Sequence, residues 1–178
     1  TLSLKETMER LRTGQYRPAN PFTTGNTQVI PSNLLRLEVD STRVDWQRLA
    51  AAPSDRMHIN LKEKSTVYRQ ELMIMEMLNN INEGNWERDI HFATTITPSL
   101  YMNLQDTHFS LNGLSYQVVP GTPLHDGVNI EAAYDNMVNK FRWGGLENDA
   151  DLYFDETGRR MLPTFRPYFT QLVNSLVR

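Results

Sequence analysis

The chain has no cysteine, which rules out a disulfide framework, a thiolate metal centre and a thiol nucleophile. It has no excess of positive charge: 18 Lys and Arg stand against 21 Asp and Glu, for a net charge of −3. A nucleic-acid partner wants a basic surface, so none is expected, and no Lys/Arg cluster is long enough to act as an anionic-lipid patch. Long apolar runs are missing too. The longest near the centre, Leu72 to Met75, stops at Glu76, far short of a membrane span. No signal peptide is visible and the chain starts at Thr1, so a processed or cloned fragment of something longer is expected. No Gly-rich phosphate loop follows a strand, no Gly-x-Ser-x-Gly elbow occurs, and there is no internal repeat. The four histidines, His58, His91, His108 and His125, include no pair at the i, i+4 spacing of a helical zinc motif.

What remains is an ordinary globular composition, 39% hydrophobic and 22% charged over 178 residues. A chain of that size forms one domain and buries roughly 70% of its unfolded surface. The strongest signal lies at 65–82. Val67, Tyr68, Leu72, Ile74, Met75, Leu78 and Ile81 recur at three- and four-residue steps, which predicts a helix buried on most of its circumference, with Met73, Met75 and Met77 filling core. Gly84 stops it, and residues 90–96 have strand composition. A helix feeding a strand through a short loop predicts an α/β fold: one domain over residues 1–178, a mixed sheet, and further helices packed on the central helix.

Other elements follow from local pattern. Ser3 and Glu6 have the spacing of a capping box, opening a helix that Gly14 closes. Residues 15–27 read as a surface loop and 28–30 as a strand. Leu35, Leu37 and Val39 alternate with charged residues, and Met57, Ile59 and Leu61 with His58 and Asn60, so both stretches read as half-buried strands. A short helix is expected at 45–52. Asn112-Gly113 between alternating runs predicts a hairpin over 109–118. Asn129 caps a helix with Ile130, Ala133, Tyr134, Met137, Val138 and Phe141 on one face. A last helix, with Pro163 in its first turn, carries an apolar stripe from Phe165 through Tyr168, Phe169, Leu172 and Val173 to Leu176. The end of that stripe is expected to be exposed, or covered only by weak self-association.

Chemistry is sparse. Asn148-Asp149-Ala150-Asp151 with Asp155 and Glu156 concentrates oxygen ligands, but lacks the glycine and glutamate that a calcium loop requires. Asp149 and Asp151 also spell the Asp-x-Asp that some sugar-nucleotide transferases use to hold a metal. So short a match arises readily by chance, and the segment reads as a solvated acidic loop. No catalytic residue, cofactor or metal is assigned. Trp86, Tyr116 and Trp143 read as structural residues, and Trp86 in particular as a packing residue where the central helix turns into its strand.

Three stretches together resemble one family. Asn85-Trp86-Glu87-Arg88 before Ile90-His91-Phe92-Ala93 resembles Asn-Trp-Glu-Arg-Pro-Ile-Tyr-Phe-Ala, with Asp89 in place of the proline and His91 in place of the tyrosine. Leu111-Asn112-Gly113-Leu114-Ser115-Tyr116-Gln117-Val118-Val119-Pro120 resembles Leu-Glu-Gly-Leu-Ala-Tyr-Arg-Leu-Val-Pro. Phe141-Arg142-Trp143-Gly144-Gly145, with Arg159-Arg160-Met161 and Phe165-Arg166, resembles a third block. The family is the large bacterial membrane proteins grouped as domain of unknown function 2723. There a membrane region similar to polyprenyl-phosphate-dependent sugar transferases precedes a soluble part facing the periplasm. The resemblance implies that this chain is that soluble part: a non-catalytic accessory domain on the periplasmic side of the inner membrane, contacting the membrane region of its parent and positioning a protein or glycan acceptor. The family's presumed catalytic acids have no counterpart here. The alternatives are a stand-alone metal-dependent sugar-nucleotide transferase using Asp149 and Asp151, and a protein-interaction module docking through its last helix.

Overall fold

Leu2–Ser3 (β1) runs directly into helix α1 (Leu4–Arg12), and β1 pairs in parallel with β2 (Leu34–Glu38). The computed structural model describes residues 1–16, 28–62, 66–142, 153 and 155–177. Ser3 is the residue before α1, but its hydroxyl caps nothing; the strand pairing holds it extended, and its carbonyl accepts from Thr7 Oγ1 at 2.7 Å. Glu6 pairs forward with Arg10, so the expected capping box does not form.

β2 continues the sheet through β4 (Arg56–Asn60), antiparallel from Leu34↔Asn60 to Glu38↔Arg56. The alternation seen in the sequence places Leu35, Leu37, Met57 and Ile59 in the core and their charged neighbours outside. Residues 28–30, expected as a strand, are irregular. Between β2 and β4, Asp45 accepts from the Arg48 amide at 3.0 Å and caps α2 (Trp46–Leu49), which leads into β3 (Ala51–Ala52).

The central helix, α3, spans Arg69–Glu83. The Tyr68 amide donates to the Glu71 carboxylate at 2.5 Å, a local cap that starts the helix four residues later than expected. Its inner face carries Met75 and Leu78; its outer face carries Met73, 66% exposed, and Met77. Of the three methionines only Met75 is core. The burial expected on most of the circumference is therefore one-sided, because among the described elements α1 and the sheet cover a single face.

After α3, Asn85 and Trp86 take left-handed backbone (φ 52° and 60°), and the Trp86 amide donates to the Ile81 carbonyl at 3.0 Å. The chain then enters β5 (His91–Ala93), three residues where a longer strand was expected. β5 joins a separate antiparallel sheet of order β5-β7-β6, made with β6 (Phe109–Leu111) and β7 (Ser115–Val118). The helix-to-strand connection thus links two sheets. A third pairing joins β3 to β8 (Thr122–Pro123). Gly121 permits it, since a Cβ there would lie 2.0 Å from the Ala52 carbonyl oxygen.

The expected hairpin forms as β6–β7. Gly113, at φ 101°, is the first central residue of its turn and Asn112 bonds Ser115 across it at 2.8 Å. α4 (Ile130–Tyr134) opens on Asn129, as expected, and unwinds into a π-turn at Asp135–Lys140. Only Ala133 and Met137 of its expected apolar face are buried, while Tyr134 and Val138 are exposed. α5 (Glu156–Val177) starts upstream of Pro163, so Pro163 and Pro167 are both interior. Leu172 is its one fully buried side chain; Phe165, Tyr168 and Phe169 are half-buried, and Val173 and Leu176 exposed. The class is α/β in one compact domain, with strands divided among three small sheets.

Candidate functional site

A groove of about 550 Å³ opens where the β6–β7 sheet, the 3-10 turn His125–Gly127 and α5 meet. Its aromatic wall comes from the hairpin. Phe109 and Tyr116 face the same side of neighbouring strands and stack at 5.4 Å, 22° between planes. Tyr101 closes edge-on against Phe109 at 5.0 Å, and Tyr168 of α5 against Tyr116 at 6.3 Å. Tyr116 belongs to the packing of both apolar clusters, so its ring is held on two sides.

Asp106 and Gln105 stand on the loop before β6, between buried Leu104 and His108. The His108 amide donates to the Leu104 carbonyl at 2.8 Å and closes that loop. The opposite rim is the turn. His125, Asp126 and Gly127 all have positive φ (50°, 55° and 81°), and two of the three carry a Cβ, a conformation costing about 1–3 kcal/mol for each non-glycine. Bonds from outside the turn hold it: the Leu124 amide donates to Ala50, and Ser175 Oγ donates to the His125 carbonyl at 3.3 Å.

α5 supplies the third wall. Leu172 anchors the helix among Leu111, Val128, Ala133 and Met137. Gln171, Asn174 and Ser175, spaced i, i+3, i+4, then line the groove. Among the described residues that line it there is no Lys, Arg or His. The Tyr116 hydroxyl is pushed up to about 12, chiefly by burial and then by the Tyr168 and Tyr101 hydroxyls beside it, so near neutral pH it stays protonated. The described lining, with two carboxylates, three amides, the hydroxyls of Ser175 and Tyr116, and two aromatic rings, is rich in acceptors and amide donors.

Other constellations are less complete. His91 Nδ1 lies 3.1 Å from Ser115 Oγ, and Asp89 is near enough to oppose the lowering that burial imposes on the His91 ring. Asp89, however, gives both oxygens to Arg48 at 2.7 and 2.8 Å, so the three do not compose a charge relay. Arg48 also donates to the Trp86 carbonyl at 2.5 Å. A second cleft of about 510 Å³ lies between Asp45, Arg48 and Asp135, and a shallow apolar one of about 390 Å³ runs along α5 past Leu162, Phe165 and Phe169. Among the described residues no three His, Asp or Glu side chains are grouped to hold a metal ion. His58 and His91 lie in different sheets.

Trp86 is 1% exposed, with Nε1 donating to Asn82 Oδ1 at 3.0 Å. Tyr116, read from sequence as structural, is both packed and groove-lining. Trp143, Asp149 and Asp151 lie outside the described residues. The groove residues Gln105, Asp106, Asp126, Gln171 and Asn174 were not singled out by the sequence. Their one legible trace was the polar Gln171, Asn174 and Ser175 flanking Leu172.

Residues 1–137 match the family model for TMEM260-associated domain 2, a domain associated with a membrane protein. The match takes in all three sheets and the His125–Gly127 turn, while α5 lies beyond it. No curated protein and no solved structure matches the chain. Among the described residues no helix is long and apolar enough to cross a membrane. With 137 of its 178 residues inside that match, the chain belongs to the TMEM260-associated domain 2 family.

Proposed function

We propose that this chain is a non-catalytic accessory domain of a glycosyltransferase-like membrane protein of the domain-of-unknown-function 2723 type. It stands on the periplasmic side of the bacterial inner membrane and positions the acceptor for the membrane region of its parent. The observation that carries this reading is the match of residues 1–137 to a family named for its association with a membrane protein. The three blocks around Trp86, Tyr116 and Phe141 add the sugar-transferase resemblance. The groove walled by Tyr116, Asp126 and Asn174 supplies a face on which an acceptor can rest. The exposed edge of α5 at Val173, Leu176 and Val177 suits docking on the parent, or weak self-association in its absence.

The test is made on the full-length gene product. It should encode many apolar spans before the segment starting at Thr1, and deleting that segment should raise the acceptor KM while donor use persists. A gene without such spans sinks the reading. Sugar-nucleotide turnover by the chain alone, abolished by Asp149→Asn and Asp151→Asn, would establish the stand-alone transferase instead.

A further inference from the structure

We propose that Met73 and Met77, on the solvent face of α3, form a two-thioether site for a soft monovalent metal ion of the copper(I) or silver(I) kind. The inference uses no residue of the groove and stands apart from the accessory-domain reading.

Exposure is the first observation. Met75 is fully buried, whereas Met73 and Met77 on either side of it are 66% and 46% exposed. Both therefore present thioether sulfur to water in the middle of a regular helix, Arg69–Glu83. Gln70 and Asn80, also exposed, stand one turn before and one turn after. The two thioethers thus form a pair with polar neighbours at each end along the helix.

Ligand chemistry chooses the ion. A thioether is neutral and polarisable, and as a hydrogen-bond acceptor it is weak. It has little to offer a hard cation such as calcium or magnesium, which takes oxygen, and it suits copper(I). Neutral sulfur also lacks the charge with which a thiolate holds zinc. In a chain without cysteine, methionine supplies the softest ligands there are.

Spacing chooses the coordination. Residues at i and i+4 of a helix share a face with Cβ atoms about 5–6 Å apart. Each methionine has three rotatable bonds beyond Cα, enough to bring the two sulfurs to opposite sides of one ion. Closed-shell copper(I) and silver(I) accept two donors in a near-linear arrangement, so the pair needs no third ligand. The helix is set in place by other contacts. Met75 and Leu78 are buried beneath it, while Arg12 pairs with Glu76 and Lys5 Nζ with Glu83 Oε1 at 3.0 Å to hold it on α1. Binding then has only two surface side chains to order.

The experiment uses the whole chain with carbon-13-labelled methionine methyl groups, in chloride-free buffer. Silver(I) nitrate is the probe, being inert to oxidation, and zinc(II) and calcium(II) are the comparisons. Of eight methionine signals, those of Met73 and Met77 should move together and saturate at one equivalent of silver, with neither divalent ion moving them. Met161, 52% exposed on α5 with no methionine three or four residues away, should stay still at that concentration. Met73→Leu and Met77→Leu should each weaken silver binding roughly tenfold or more, and Met161→Leu should not. Leucine matches methionine in helix propensity, so the circular dichroism spectrum should be unchanged. The assignment is overturned if silver moves neither signal, if Met161 responds equally, or if zinc does what silver does. It also falls if binding survives both single substitutions unchanged. Signals that follow protein concentration and not silver would overturn it too, by making the pair a self-association contact.

Discussion

The two apolar clusters of this domain differ in size and in what surrounds them. Around α1, β2, β4, α3 and Trp86, twenty-two described residues bury into one core. Around α4 and α5 only Leu111, Val128, Ala133, Met137 and Leu172 do so. In the first region several polar side chains that approach the core find protein partners, while Arg36 Nε and Glu76 Oε2 are buried with no hydrogen bond among the described residues. Asn82 accepts from Trp86 and donates to the Glu38 carbonyl at 2.8 Å, and Glu71 receives the Tyr68 amide. In the second, α5 commits one fully buried side chain in 22 residues and turns amides toward a groove. Burial concentrates in the larger cluster, to which the groove wall contributes Phe109, whereas Gln171 and Asn174 are exposed on α5 and can change without loss of core.

The largest effect that would sharpen this contrast is at Trp86. Trp86→Ala should cost about 3–5 kcal/mol in urea unfolding, since it empties a fully buried site and strands the Asn82 carbonyl. A loss under about 1 kcal/mol would break the comparison at its strong end. At the weak end, Leu172→Ala should cost about 2 kcal/mol, the low side for leucine, because a cluster of five can collapse into the space. Leu176→Glu, at a position 50% exposed, should stay within about 0.5 kcal/mol of the parent chain. Equal losses at 172 and 176 would show that α5 is docked more deeply than its burial implies.

A smaller effect comes from pH. His108 is buried, its Nδ1 3.1 and 3.2 Å from the carbonyls of Val119 and Gly121, and burial lowers its pKa below the ordinary 6.5. The folded chain therefore holds the ring neutral while the unfolded chain takes up a proton, and stability should fall as pH drops through 6.5 towards the folded value. His108→Gln should flatten that slope. His91, lowered chiefly by burial as well, adds a part that His91→Gln removes separately. Smallest, and confined to the groove, is the titration of Tyr116. Its phenol should be a late absorbance step near pH 12 that Tyr116→Phe deletes. Because that pKa is raised above 10, the contribution to stability is full below pH 10 and fades as pH rises through 12. A step at pH 10 would mean that the aromatic wall is open to water.

Legibility in the sequence follows the same divide. Leu35, Leu37, Met57 and Ile59 announced their sheet because a half-buried strand must alternate. Asn112-Gly113 announced the hairpin because few residues accept positive φ. The central helix was found but its burial was overstated: Met73 and Met77 look like core in any window, and they are surface because no described element covers them. The capping box at Ser3 was a valid local pattern overridden by β1 pairing with β2. Pro163 pointed to a helix start, yet α5 begins upstream of it.

By itself the sequence determined the α/β class, the positions of α3, the β6–β7 hairpin and the paired strands β2 and β4, and the exclusion of thiol chemistry. Each follows from periodicity, turn residues or composition, all of them local quantities. Tertiary structure alone decided that β5 joins a second sheet, that one methionine of three is core, and that Asp106, Asp126 and Asn174 line one groove. The physical reason is range. Those residues lie on three elements separated by up to 68 positions in the chain, from 106 to 174, and no periodicity records a meeting that depends on where Leu172 is buried.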